Sequence, residues 1–187
     1  EGRVWLTSRI RNTGDNPDWC REGSANRFAQ YFPLSASGRQ ASVFHPDTEE
    51  FTLIDTCFGT HHLQFGEDEE NTLYFSGDTR VVGWVRTSPL LDGSPGPLVD
   101  PIRDQAPARL AVRAEEAQGW CPTVVDTNGD GRITRPWNTG NGPRDPNLDT
   151  QFTGFAYGVV INPVDNSVWL ARTGGLPGRI YRLVLGD

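Results

Sequence analysis

Alternation of apolar and polar residues runs through this chain, and helical periodicity is scarce. In His61-His62-Leu63-Gln64-Phe65, Leu63 and Phe65 fall on one face of a strand, and His62 and Gln64 on the other. Gly66 to Asn71 reads as an acidic turn, and Thr72-Leu73-Tyr74-Phe75-Ser76 as an aromatic, β-prone return strand. The pattern recurs near the C-terminus. Tyr157-Gly158-Val159-Val160-Ile161 is the outgoing strand, Asn162 to Asn166 the turn, and Ser167-Val168-Trp169-Leu170-Ala171 the return. Arg3-Val4-Trp5-Leu6-Thr7-Ser8 matches the second half of a third copy, with Trp5 and Trp169 at the same repeat position. Aligned hairpins of this kind are an internal repeat, and repeats dominate the choice of fold.

The segments between the copies fit the same picture. Arg39–Phe44 and Phe51–Thr56 flank a polar turn, the mark of an antiparallel meander. Thr79–Val85 and Arg179–Val184 read as third strands following the two complete hairpins. Arg9–Ser37 is a long connection, and Phe28, Tyr31 and Phe32 within it should pack down on the domain. Residues 86–118 hold Pro89, Pro95, Pro97, Pro101 and Pro107, with Ala106–Ala117 as a short helix. Residues 135–150 are loop, and the repeat resumes at Phe155. Small antiparallel sheets in series predict an all-β chain and a β-propeller. The strands fill about three blades, a partial propeller, with a long calcium-loop insertion over 86–154 inside a single segment, 1–187. The chain starts inside one blade and stops inside another. The expectation is therefore a piece of a longer propeller, or one chain of an assembly that completes the ring. A β-sandwich is the alternative, with Trp5, Tyr74 and Trp169 meeting in one shared interior.

Composition narrows the function classes. The net charge is -7, and all 17 basic residues are Arg, scattered without a stripe. That argues against nucleic-acid binding, which needs a dense positive footprint. No apolar run approaches the ~20 residues of a membrane helix. No signal peptide is visible and the chain starts at Glu1, which reads as a processed, cleaved or truncated product. Three cysteines without CxxC spacing make structural zinc a poor fit. Either Cys20, Cys57 and Cys121 are unconnected, or one disulfide, Cys20–Cys57, forms in an exported protein and leaves Cys121 free or paired elsewhere.

The strongest chemical motif is Asp126-x-Asn128-x-Asp130-Gly131-x-Ile133. Its oxygens alternate so that they converge on one hard cation, Gly131 permits the bend, and Ile133 should pin the loop to the core. The backbone carbonyl of Arg132 would be the next ligand. A full EF-hand would place Glu at the twelfth position, where this chain has Trp137. Calcium completed by a distant acid, Asp145 or Asp149, is expected, against an Asx-rich turn with no ion. Glu67-Asp68-Glu69-Glu70 reads as a solvated hairpin tip, and no GxSxG context supports serine hydrolysis. Trp120 and Trp137 flank the Asp-rich loop as exposed ligand platforms or core residues.

Repeats of the form strand–polar turn–VW(L/F)(T/A) followed by GR(I/V)YR look like the propellers related to the streptogramin (virginiamycin B) lyase, NHL-repeat and senescence-marker-protein families. The resemblance covers Arg3–Ser8, His61–Gly77 and Tyr157–Val184. Trp120 to Trp137 resembles a segment of large secreted bacterial propellers. This implies an exported bacterial protein, secreted or periplasmic. It also implies that His61 and His62 lie on a channel-lining strand, where such histidines hold a metal or act as acid and base. Alternation would send only one of them into the channel, and Tyr157-Gly158 stands at the matching position of the last repeat. Two readings follow. One is a calcium-stabilised structural or binding segment facing a protein partner, a carbohydrate or a small molecule. The other is a metal-dependent lyase or lactonase-type enzyme with His61 or His62 as the catalytic group.

Overall fold

The computed structural model describes residues 2–11, 14–78, 80–92, 96–99, 108–139, 142–152, 156–172 and 178–183. The chain opens with β1 (Val4–Ser8), a 3-10 turn at Asp18–Cys20 and α1 (Arg27–Tyr31), followed by β2 (Gln40–His45) and β3 (Glu50–Ile54). Next come β4 (Leu63–Phe65), β5 (Thr72–Phe75), β6 (Val81–Arg86), α2 (Thr87–Leu91), β7 (Leu98–Val99) and β8 (Ala108–Leu110). Then follow α3 (Ala114–Ala117), β9 (Gln118–Pro122), β10 (Val124–Val125), β11 (Thr150–Gln151), β12 (Ala156–Ile161), β13 (Val168–Arg172) and β14 (Ile180–Leu183). The described strands form four sheets, none closed, in the orders β1-β2-β3-β8-β7, β4-β5-β6-β9, β10-β11 and β12-β13-β14. The chain is all-β. No helix among the described residues is long and apolar enough to cross a membrane.

Turn chemistry explains the hairpins. One or two residues before each return strand, Glu49, Asn71 or Asn166 has a φ of 56°, 49° or 55°. Asn tolerates this left-handed conformation at little cost. In the second hairpin, Asp68 Oδ1 accepts from the Glu70 and Thr72 amides at 3.1 and 2.9 Å, closing the acidic tip.

The three larger sheets stack as layers, with the β4-β5-β6-β9 sheet in the middle. One of its faces carries Leu73, Phe75, Val85 and Trp120 into a cluster with Ala41, Val43 and Ile54 of the first sheet. The opposite face carries Tyr74 and Val82 into a separate cluster with Val159, Ile161, Val168 and Leu170 of the third. The strand period of two makes this double burial possible. Trp5, Tyr74 and Trp169 do not share an interior. Trp5 packs on the first cluster, Tyr74 lies in the second, and Trp169 is 36% exposed. Gly83 lets the layers approach: a Cβ there would sit 2.2 Å from the buried Phe58 ring.

Several elements depart from the pattern read off the sequence. Ala108–Leu110, within the stretch read as a helix, is strand β8 and pairs parallel with β3; among the described residues of that stretch only Ala114–Ala117 turns helical. The open edge of β3 offers hydrogen bonds that an isolated short helix does not. Gln118–Pro122, inside the stretch read as an insertion, pairs antiparallel with β6 as the fourth strand of the middle sheet. The connection from Arg9 to Ser37 contains α1, capped by the Asn26 side chain accepting from Phe28 and Ala29. Phe28 and Phe32 pack on the core as expected, while Tyr31 stays 42% exposed. Thr79, Phe155 and Val184 lie outside the described residues.

Two devices tie the long connection down. Cys20 and Cys57 form a disulfide with a Cα–Cα distance of 5.5 Å. Beside it Arg11 pairs with Asp55 and donates to Asn16 Oδ1 at 2.8 Å, Ser37 Oγ at 2.6 Å and the Thr56 carbonyl at 3.2 Å. Burial lowers the Arg11 pKa to about 10, so the guanidinium remains charged at neutral pH. The Asn16 amide group donates to the Leu34 and Cys57 carbonyls at 2.9 and 2.6 Å, satisfying loop backbone groups that water does not reach.

Candidate functional site

The Asp-rich loop leaves β10 and wraps its own amides. Asp126 accepts from Gly129 N at 2.7 Å and Gly131 N at 2.9 Å. Asn128 Oδ1 accepts from Asp130 N at 3.0 Å, and Asp130 Oδ1 from Arg132 N at 2.8 Å. Gly129 and Gly131 have φ of 80° and 78°, so the turn depends on both. The loop is anchored to the segment before β11: the Asn128 amide donates to the Asn147 carbonyl at 3.1 Å, and Thr127 Oγ1 to the Leu148 carbonyl at 3.1 Å.

The two acids considered as distant partners differ sharply. Asp145 is exposed and accepts from the Asn147 backbone amide at 2.9 Å. Asp149 is 1% exposed; its Oδ2 accepts from Thr134 N at 3.1 Å, and its buried Oδ1 has no partner among the described residues. Among the described residues no three His, Cys, Asp or Glu side chains form a metal-binding group. Ile133 does not enter the core: it is 38% exposed, and its carbonyl accepts from the Tyr31 hydroxyl at 3.2 Å. The polar residues around it hold the loop by hydrogen bonds, so no apolar anchor is required.

Aromatic residues border this loop. The Arg135 guanidinium lies 5.5, 5.2 and 5.0 Å from the ring centres of Tyr31, Phe32 and Trp137. Trp137, at the twelfth loop position, is therefore part of this stack. Trp120 is not an exposed platform. It is 2% exposed and donates from Nε1 to the Phe32 carbonyl at 2.7 Å.

Between the middle and third sheets lies a cavity of about 650 Å³, walled by Val124, Val125, Ile133, Phe152, Leu170 and Leu183, with Asp126 and Arg132 at its polar side. The Tyr181 hydroxyl on its wall is buried without a partner among the described residues, and its ring stacks on Phe152 at 4.4 Å. Sequence reading missed this cavity, because its walls come from segments that are far apart along the chain. Cys121 also borders it, and burial pushes its thiol up to about 12. The folded protein should resist thiol alkylation at mildly alkaline pH and react at one site once denatured without reductant. Mass spectrometry of iodoacetamide-treated samples checks this, and rapid labelling of the native chain contradicts it.

His61 and His62 do not sit on opposite faces of a strand. β4 starts at Leu63, and the two rings pack edge to face 4.5 Å apart. Tyr157 lies 5.2 Å from His61 and 4.6 Å from His62. The chain turns here because Gly77 (φ 103°) brings the backbone so close that a Cβ would be 2.3 Å from that of His61. Both histidines are exposed, and among the described residues neither imidazole has a hydrogen-bond or ion-pair partner. The first strands of the two complete hairpins lie alongside each other, with Gly77 N bonded to the Ala156 carbonyl at 3.1 Å and Glu67 N to Asn166 Oδ1 at 2.7 Å. No protein-family model, curated protein or solved structure matches this chain.

Proposed function

We propose that this chain is an exported, calcium-stabilised β-propeller segment with a structural or binding role, its sheets serving as blades. Support for the stacked arrangement is the middle sheet, buried on both faces by separate clusters. Support for an oxidising compartment is the Cys20–Cys57 bridge. The observation that carries the calcium reading is Asp149, a carboxylate shielded from water whose Oδ1 lacks a partner among the described residues, next to Thr150, which pairs with Val125 at the start of the DxNxDG loop. Burying such a group costs free energy unless a donor or cation meets it. Asp126, Asn128, Asp130 and the Arg132 carbonyl would hold the ion, with Asp149 as the remote acid. The ion would fix the Asp126–Arg132 wall of the 650 Å³ cavity, whose apolar lining suits a small-molecule or carbohydrate ring. The protein partner is the remainder of a longer propeller or another chain. The alternative, a lyase or lactonase with catalytic His61 and His62, gains no support from their surroundings, because the ring packed on both is that of Tyr157 and neither imidazole has an ion-pair partner among the described residues.

Calcium at a hundredfold excess over its dissociation constant should stabilise the fold by ~2.7 kcal/mol, raising Tm by roughly 5–10 °C. Chelator should reverse the shift, and Asp126→Asn with Asp149→Asn should remove the calcium dependence. A melt indifferent to calcium and chelator, with no ion found by elemental analysis, would end the calcium reading.

A further inference from the structure

We propose that the two outermost sheet faces of this chain bind each other head to tail, so that the partner is a second copy of the same chain. The proposal rests on the stacked-sheet part of the reading above and is independent of calcium and of the cavity.

The repeat gives every sheet a direction. Val4 and Leu6 occupy the positions of Leu73 and Phe75 in the second copy and of Val168 and Leu170 in the third; Trp5 corresponds to Tyr74 and Trp169. In the middle sheet Leu73 and Phe75 face the first sheet, and Tyr74 faces the third. In the third sheet Val168 and Leu170 face back onto the middle one, and in the first sheet Trp5 faces forward onto it. Each internal contact therefore joins a forward face to a backward face of the next sheet. Among the described residues two faces of these types remain open. The backward face of the first sheet exposes Val4 by 45%, Leu6 by 39% and Phe51 by 42%, next to a Phe44–Phe51 ring pair at 4.9 Å. The forward face of the third sheet exposes Val160 by 61%, Trp169 by 36% and Ile180 by 72%.

These are a continuation of the interface that already holds the chain together, displayed at its two ends. A face of one type lacks what the other type supplies, and the same molecule carries both. That makes the contact heterologous, not two-fold symmetric. Polar groups do not oppose it. Ser8 and Ser42 hydroxyls bond each other on the first face, and Arg182 on the last is already paired with Asp165 at 3.3 Å. Apolar patches of this sort, rimmed by polar residues, mark protein contacts.

The test uses the 187-residue chain, with sedimentation equilibrium over a range of concentrations. One variant carries Val4→Asp with Leu6→Asp, and another Val160→Asp with Ile180→Asp. The parent should associate reversibly, and each variant alone should lose about a hundredfold in affinity. Mixed in equal amounts, the two variants should regain a heterodimer, since one intact face of each kind remains. A two-fold symmetric contact could not be rescued this way. Growth past the dimer supports the head-to-tail contact and counts against a ring closed by two copies. A parent that stays monomeric overturns the proposal and leaves the faces to a different partner, such as further sheets of the same repeat. It is equally overturned if either variant associates like the parent, or if folded variants with parent-like melting fail to pair. The calcium-dependent melt of each variant reports separately on the reading above.

Discussion

Replacing Trp120 by Ala should be the most damaging single substitution in this chain. The expected loss is ~3–5 kcal/mol, the range for emptying a buried aromatic site, and a fall in Tm of roughly 10 °C or more. Trp120 holds three parts together. Its ring lies 5.4 Å from Phe28 of α1, and Phe28 in turn meets Trp84 edge-on at 5.4 Å. Its indole N–H satisfies the Phe32 carbonyl just past that helix. The cavity cannot collapse easily, because its walls come from a sheet and a disulfide-tethered loop. Trp120→Phe separates the two contributions. It retains most of the ring yet leaves the Phe32 carbonyl unpaired, at about 1–3 kcal/mol. Urea unfolding of the three proteins measures this series. A Trp120→Ala loss below that of Trp120→Phe would show that the indole is not the keystone of this layer.

Removing the Cys20–Cys57 bridge should cost about 4 kcal/mol, from the entropy of closing a loop with a sequence separation of 37. Both sulfurs are fully buried. The bridge clamps the long connection to the crossing between the first and middle sheets. There the Cys57 amide donates to Gln118 Oε1 at 2.9 Å, reaching the start of β9. The paired variant Cys20→Ala with Cys57→Ala should therefore loosen α1 and the Trp120 environment along with the loop. Hydrogen exchange localises the effect. A loss confined to residues 14–38, with β9 protection unchanged, would contradict the coupling.

The hairpins were legible because their information is local. Alternation across Leu63–Phe65 and Thr72–Phe75, and again across Ala156–Ile161 and Val168–Arg172, appears in strands where it was expected. Asn71 and Asn166 marked the turns for the same reason, since a left-handed residue must be one that tolerates it. The Cys20–Cys57 pairing was named among the alternatives and is present. The Asp126–Asp130 loop was visible as a motif, because the bonds its side chains accept from its own amides span at most five residues.

What the chain spells out locally ends there. Alternation places His61 and His62 on opposite faces, but strand pairing begins only at Leu63, so both rings meet Tyr157 instead. Ala108–Leu110 has helix-tolerant residues, and the free edge of β3 draws it into a parallel pairing no local rule could specify. Sequence leaves Trp120 open between core residue and exposed platform, and it is core because β9 adds to β6 and presents it to Phe28 and Phe32. Sequence period alone determined strand, turn and repeat, each set by neighbours along the backbone. Which face of a sheet is buried, which acid lies near the Asp-rich loop and which aromatics stay bare were decided by packing between distant segments, where burial free energy outweighs local preference.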